Sequence, residues 1–450
     1  MNTKNEVDML HGPLAGKIVL FALPLAASSM LQQLFNAADI AVVGRFASSQ
    51  AMAAVGSNSS VINLLVGLFV GLSVGANVVL GNLVGAGQRE RISDSVHTVM
   101  TLALLAGVFL LGVGELLAPA VLRLMGAPES VIRLATLYLR IYFLGMPAIL
   151  LYNYGAAILR SKGDSRRPFL SLTLAGVVNV LLNLLFVVVF HLHVIGVALA
   201  TVLSNCLSGG LTVWFLLREE GEFRLDPTKL RVRPDLMHRV VQIGLPAGLQ
   251  GVVFSFSNVV IQSGINSFGE DCIAGMAAAV NFDFISYSLL NSFSQAAVTF
   301  VSQNYGARNK ERCRRSLRIA MGFGLGLDLL MIAPIMLFRH TVIRLFSTDA
   351  DVIHYAMIRM CIEFALHFLC GTYEISGGAI RGMNRSMVPT LISILGTCAF
   401  RLVYVLLLLP HFRSPQALIA VYPISWVMTG TAMIAAYFLV LRKAFEPEIA

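Results

Sequence analysis

Charge is what this sequence has least of. Only 13% of its 450 residues are Asp, Glu, Lys or Arg, about half the share of an ordinary soluble domain. With 57% hydrophobic residues and a mean hydropathy of +0.77, a water-soluble globular chain is excluded. Apolar runs near 20 residues long recur instead, the signature of membrane-spanning helices. Cysteine is sparse and scattered. The six (206, 272, 313, 361, 370, 398) show no CxxC spacing, so neither a disulfide framework nor a metal site is expected from them. The sequence contains no GxxxxGK[ST], no HExxH and no Asp-rich pair for magnesium diphosphates, and its GxSxG, GLSVG at 71–75, falls inside an apolar run rather than at a strand-to-helix turn. ATP hydrolysis and zinc proteolysis lack their motifs and serine hydrolysis lacks its setting, so neither an enzyme nor a cofactor is expected. Nor is a cleaved leader expected. Met1 to Gly12 is polar, and the first apolar run is too long and lacks a small-residue cleavage site after it.

What is present is a series of twelve apolar segments. They are read as helices at 14–44, 51–83, 94–118, 131–158, 168–190, 196–217, 239–266, 273–303, 315–338, 350–378, 388–410 and 417–441. Two six-helix domains (1–217 and 239–450) flank a basic linker, 218–238. An even number of crossings puts both termini on one side. With that side inside, 24 Lys/Arg fall in cytoplasmic segments, 6 in external loops and three (Arg140, Arg359, Arg401) within helices. The bias predicts cytoplasmic termini in a cell membrane. The formal charge of +9 therefore reflects topology and a lipid bilayer, and no nucleic-acid partner is expected. The linker, with Arg218, Arg224, Lys229, Arg231 and Arg233, reads as a solvated loop that fixes orientation.

The chain repeats itself. FALPLAASS around Pro24 answers IGLPAGLQG around Pro246. AMAAVGSN (51–58) answers AGMAAAVN (274–281), VGAGQRER (84–91) answers YGARNKER (305–312), and LRSKGDSRRP (159–168) answers IRGMNRSMVP (380–389). The offsets agree within two residues. A repeat of six helices keeps the same orientation in each half, so the expected fold is all-α, two six-helix bundles related by a pseudo-two-fold along the membrane normal. Two halves in one chain make a monomer sufficient.

The first apolar segment holds one acid, Asp39, and one proline, Pro24, between Lys17 and Arg45. An acid inside a membrane costs roughly 2.5–3.5 kcal/mol on insertion scales and faces a cavity or partner. A proline removes a hydrogen bond and supplies a bending point. Asp39 lies six residues before Arg45, Asn183 eight before His191, and Thr201 eight after His193. At about 1.5 Å per residue all three lie roughly 9–12 Å below the outer surface. Asn179 shares a face with Asn183 by i,i+4 spacing. One carboxylate and three neutral oxygen ligands suit a proton or a sodium ion. In the second half, Asp283 and Arg401 are candidates either for a substrate path or for structural ion pairs, and Gln33 joins them as a cavity candidate. Glu374 is expected to be wet, His367 to be a core histidine, and Asp328 and Glu363 have no assigned partner.

These motifs resemble the MATE (multidrug and toxic compound extrusion) transporters of the MOP flippase superfamily, over nearly the whole chain. The resemblance rests on Pro24 with NAADIAVVGRF, AMAAVG, NLVGAGQ, LRSKGDSRRP, QNYGARNKER, IRGMNRSMVP, FRLVY with Pro410, and VYPISW. It implies two six-helix lobes in a V, a central cavity opening to one side at a time, and export of amphipathic, often cationic compounds in exchange for protons or sodium ions. Asp39, Asn179 and Thr201 match the family's acid, amide and hydroxyl. The sequence departs at Asn183, where many relatives have NxxxD and this chain has NVLLN, and at Phe254, where some carry glutamate. Asp283 looks like the pattern of a bacterial subgroup. The alternative within the superfamily is a lipid-linked oligosaccharide flippase. The twelve-helix count and few intrahelical arginines argue against it.

Overall fold

The computed structural model describes residues 6–46, 49–124, 129–412 and 414–446, and among them there is no strand. The helices in order are α1 (Leu14–Phe46), α2 (Ser49–Gly85), α3 (Arg89–Leu124), α4 (Glu129–Leu144), α5 (Met146–Lys162), α6 (Arg166–Asn183), α7 (His193–Leu217), α8 (Pro234–Asn266), α9 (Glu270–Gly306), α10 (Lys310–Leu337), α11 (Arg339–Arg344), α12 (Ala350–Ile362), α13 (Cys370–Gly382), α14 (Met387–Ser393), α15 (Phe400–Val403), α16 (Leu409–Phe412) and α17 (Pro415–Ala444). Among the described residues, eleven helical segments are long and apolar enough to cross a membrane. The pair α4 and α5, bent by 48° between Leu144 and Met146, makes the twelfth. Many carry apolar side chains on the outside as well as the inside: Leu116, Leu330 and Leu395 are 78%, 70% and 66% exposed. Such faces suit hydrocarbon rather than water.

The chain forms two compact units. One comprises residues 1–7 and 27–248, the other 8–26 and 249–450. Each boundary falls inside the leading helix of a repeat, two residues after its proline, Pro24 in α1 and Pro246 in α8. The repeat extends to the irregularities. The break in the first unit follows Leu144, at Gly145 with Pro147 just inside α5. In the second unit a 3-10 segment, Phe364–Leu369, interrupts the matching span between α12 and α13. A π-helix, Leu184–Val189, extends α6, and Tyr404–Leu408, between α15 and α16, matches it; a further π-helix, Ile394–Ala399 between α14 and α15, falls where the first unit has regular α-helix. A π turn inserts an extra residue and re-aims what flanks it. The expected single helices 131–158, 350–378 and 388–410 are therefore interrupted ones. A hydropathy run does not register a local change of hydrogen-bond pattern.

In the first unit α8 crosses α2 with backbones in contact. A methyl group at Gly75 would lie 2.2 Å from the Val240 carbonyl oxygen, and one at Gly248 would lie 2.5 Å from that of Leu68. Gly71 and Gly244 face the same crossing. Paired small-xxx-small spacing permits this approach. The linker is also more ordered than a solvated loop. Arg231 and Arg233 both reach Asp94 on α3, Arg91 pairs with Asp235, and the Asp226 N–H donates to His97 Nε2 at 3.0 Å. The linker's own Phe223 and Leu225 are buried.

Candidate functional site

Three helices of the first unit bring the predicted polar residues together. α1 approaches α6 at Gly176, where the Phe35 ring occupies the space a side chain would need. Phe35 stands one turn before Asp39. Gly176 stands about two turns before Asn183, and beyond this contact α1 and α6 stay close enough for Asp39 and Asn183 to bond. Asn183 Nδ2 donates to Asp39 Oδ1 at 2.5 Å and to Asn179 Oδ1 at 3.1 Å. Asn179 Nδ2 in turn donates to Ser204 Oγ on α7 at 3.4 Å. Asn183 is the last residue before the π-helix, and both asparagines are buried.

Thr201 sits three residues before Ser204 on α7. Its hydroxyl donates to the Val197 carbonyl at 2.9 Å, and Tyr138 of α4 engages its side chain. So Ser204 contacts Asn179, while Thr201 borders the cluster beside Tyr138. Both Tyr138 and Tyr142 are near enough to feel the Asp39 charge. Ser204 and the two tyrosines were not singled out from sequence. Serine is common in membrane helices, and only the α6–α7 packing selects this one. Asn183 Oδ1 is buried and, among the described residues, has no hydrogen-bond partner. A buried carbonyl oxygen without a donor is a ligand-grade acceptor. No group of three His, Cys, Asp or Glu that could hold a metal occurs among the described residues. The donor set here is one carboxylate with neutral oxygens, as a monovalent cation or a proton requires.

The remaining candidates lie elsewhere. Pro24 is within α1, which runs as helix through it. Gln33 is exposed on α1. In the second unit Arg359 Nε donates to Asp283 Oδ2 at 2.9 Å, and Arg359 Nη2 to Glu363 Oε1 at 3.2 Å. Of the two alternatives for Asp283, the structure contains the ion pair. Arg401 donates from Nε to Ser425 Oγ at 3.1 Å and stacks on Tyr422, 4.3 Å from its centroid. Glu374, expected to be wet, is buried at 7% exposure. It lies close enough to Arg381 for their charges to interact. Its depth follows from α13 packing against α9 and α17.

The fold and this site define a class: a polytopic, internally duplicated helical membrane transporter. The MatE family profile matches residues 24–185 and again 246–407, and the chain belongs to that family. The two matches are spaced as the internal repeat is. Among its relatives, the probable multidrug resistance protein YoeA of Bacillus subtilis is 28% identical over 94% of this chain and 93% of its own. A protein named FAD transporter from Shewanella oneidensis is 24% identical over 98% and 97%. The fold is shared with a solved outward-facing multidrug resistance MATE transporter, with a TM-score of 0.90 at 21% identity, covering 99% of this chain and 100% of that one.

Proposed function

We propose that the protein is a secondary antiporter of the cell membrane that exports amphipathic, often cationic compounds in exchange for protons or sodium ions. Both termini are placed in the cytoplasm, with the monomer as the working unit. The observation that carries this reading is the Asp39–Asn183–Asn179 cluster, an intramembrane acid beside an unpartnered amide oxygen. Support for the substrate class comes from relatives named for multidrug resistance.

In the arrangement described, the Asn183 amide places its NH2 between the oxygens of Asp39 and Asn179. That group occupies the position a cation would take. Rotating the amide by half a turn would aim Oδ1 at the same place, giving a cation three oxygen ligands. A proton would act more simply, neutralising Asp39 and releasing Nδ2. Either event removes charge from α1, and Pro24 gives that helix a place to bend. A few kcal/mol of differential binding is enough to invert a two-state population. Asp39 thus couples ion occupancy to the direction in which substrate is released.

The reading is tested by expression in a host stripped of its efflux pumps. Resistance to cationic dyes should rise with the wild-type protein and return to the background with Asp39→Asn at equal membrane abundance. Wild-type protein that inserts normally and confers no protection against any cationic amphiphile would contradict the drug-export reading.

A further inference from the structure

The second unit buries more acid than its partners balance. Asp283 and Glu363 flank Arg359, whose Cζ lies 5.6 Å from the Tyr422 ring. Arg401 stacks on the same ring. Tyr422 leads through Trp426, at 5.9 Å between centroids, to His367, at 5.1 Å. His367 Nδ1 lies 2.6 Å from Ser286 Oγ, which is 2.7 and 2.9 Å from the two oxygens of Asp328. Asp328 is fully buried, and His367 is 4% exposed. Asp283 and Glu363 face Arg359, with Arg401 near Glu363, while the third carboxylate, Asp328, joins the cluster only through Ser286 and His367. With His367 neutral the cluster is one positive charge short, at a depth where net charge is expensive.

The other groups around the relay do not make up the difference. Glu374 and Arg381 on α13 offset one another, and Arg381 also donates to Gln250 at 2.6 Å. Cys370, Tyr373 and Tyr287, which adjoin Glu374, add no cation.

We infer that Asp328, Ser286 and His367 form a second proton-binding site, a relay that takes up one proton and so balances the buried cluster. Unloaded, His367 Nδ1–H donates to Ser286 Oγ, and the serine O–H donates to the Asp328 carboxylate. The arriving proton binds Nε2. The loaded site has two forms, connected by a pair of hops. The Nδ1 proton moves to Ser286 Oγ as the serine proton moves to Asp328, turning imidazolium and carboxylate into imidazole and carboxylic acid. Charge is conserved, and every proton stays on a named atom. His367 lies in the 3-10 break between α12 and α13. Asp328 lies on α10 and Ser286 on α9. Loading the relay thus changes the bonds that join three helices at the one irregular point of that span.

The chain has two tryptophans, and one of them, Trp426, touches His367. In a Trp214→Phe background, Trp426 emission reports the imidazolium form of the loaded relay, because a charged imidazole beside an indole quenches it more than a neutral one, and the infrared carboxyl band of Asp328 reports the other form. The purified full-length protein would be titrated in detergent from pH 4 to 9. The expected result is a one-proton transition in emission. Asp328→Asn, which balances the cluster without a proton, should move its midpoint down by more than one pH unit. Ser286→Ala, which keeps both end groups but cuts the path, should also displace it. Emission that is flat with pH in folded protein, together with an infrared difference spectrum that shows no protonated-carboxyl band dependent on Asp328, would overturn the proposal, as would a midpoint that stays fixed in both variants.

Discussion

Asp39 and Glu219 show two ways in which this protein holds a buried carboxylate. Glu219 follows α7, where Lys162 donates to it at 2.8 Å and Arg167 pairs with its other oxygen. Burial works against its ionisation, but the Lys162 hydrogen bond and the charges of Arg167 and Lys162 outweigh it and hold the carboxyl below the usual glutamate range. A group held down in the folded state stabilises that state above its unfolded pKa, about 4.3. The contribution is lost as pH falls through the folded value. Glu219→Gln is expected to cost roughly 1.5–3 kcal/mol at pH 7, read as a lower Tm in detergent. The gap should narrow as the pH drops towards 3. Equal Tm values at pH 7 would show that the bridge contributes nothing. Among the described residues Asp39 has the Asn183 amide beside it and no paired cation, which leaves room for an exchangeable one. Asn183→Asp supplies a second carboxylate. Where sodium is the coupling ion, it should lower the sodium concentration for half-maximal transport by about tenfold, equivalent to ~1.4 kcal/mol. Unchanged or weaker sodium dependence would remove Asn183 from the coordination shell.

The α2–α8 crossing is made through glycine. It has no space for a methyl at Gly75, and the obstructing atom is a backbone oxygen that no rotamer change can move. Gly75→Val is therefore expected to destabilise by about 1–3 kcal/mol or more, seen as lower yield of monodisperse protein. Gly251, on the same α8 but with nothing within 4 Å of an added methyl, is the contrast. Gly251→Ala should be neutral or stabilising by about 0.5–1 kcal/mol. Similar losses at the two positions would mean that helix α8 does not tolerate change anywhere, and that the crossing is not special. The sequence made the crossings legible but not their interruptions. Pro147 beside Gly145 is a breaking signal within the expected helix 131–158. Nothing comparable marks the 3-10 turn at Phe364–Leu369, where tertiary packing decides the backbone. The Arg359–Glu363 pair was open to reading from i,i+4 spacing. Asp283 joins it from α9, and no spacing rule connects them.

For the whole molecule, duplication is the organising fact. The internal offset was visible in four short motifs, and it recurs in the family match, the unit boundaries and one matched pair of π-helices. Function is less symmetric. The first unit carries an acid bonded to one of a pair of amides, and the second carries a charge cluster with an Asp–Ser–His relay. Asp39, Asn179 and Asn183 could be brought together from sequence because depth and i,i+4 spacing are one-dimensional quantities. Ser204, Tyr138 and Ser286 could not, because their partners lie on other helices and their residue types are unremarkable there.

The central claim is that Asp39 couples an ion gradient to export. Its most direct test is efflux of ethidium from proteoliposomes, with wild-type and Asp39→Asn protein side by side, under an imposed proton gradient and separately a sodium gradient. The account predicts that one gradient drives efflux in the wild type and that the same gradient drives none in Asp39→Asn. Equal gradient-driven efflux from both proteins would contradict it.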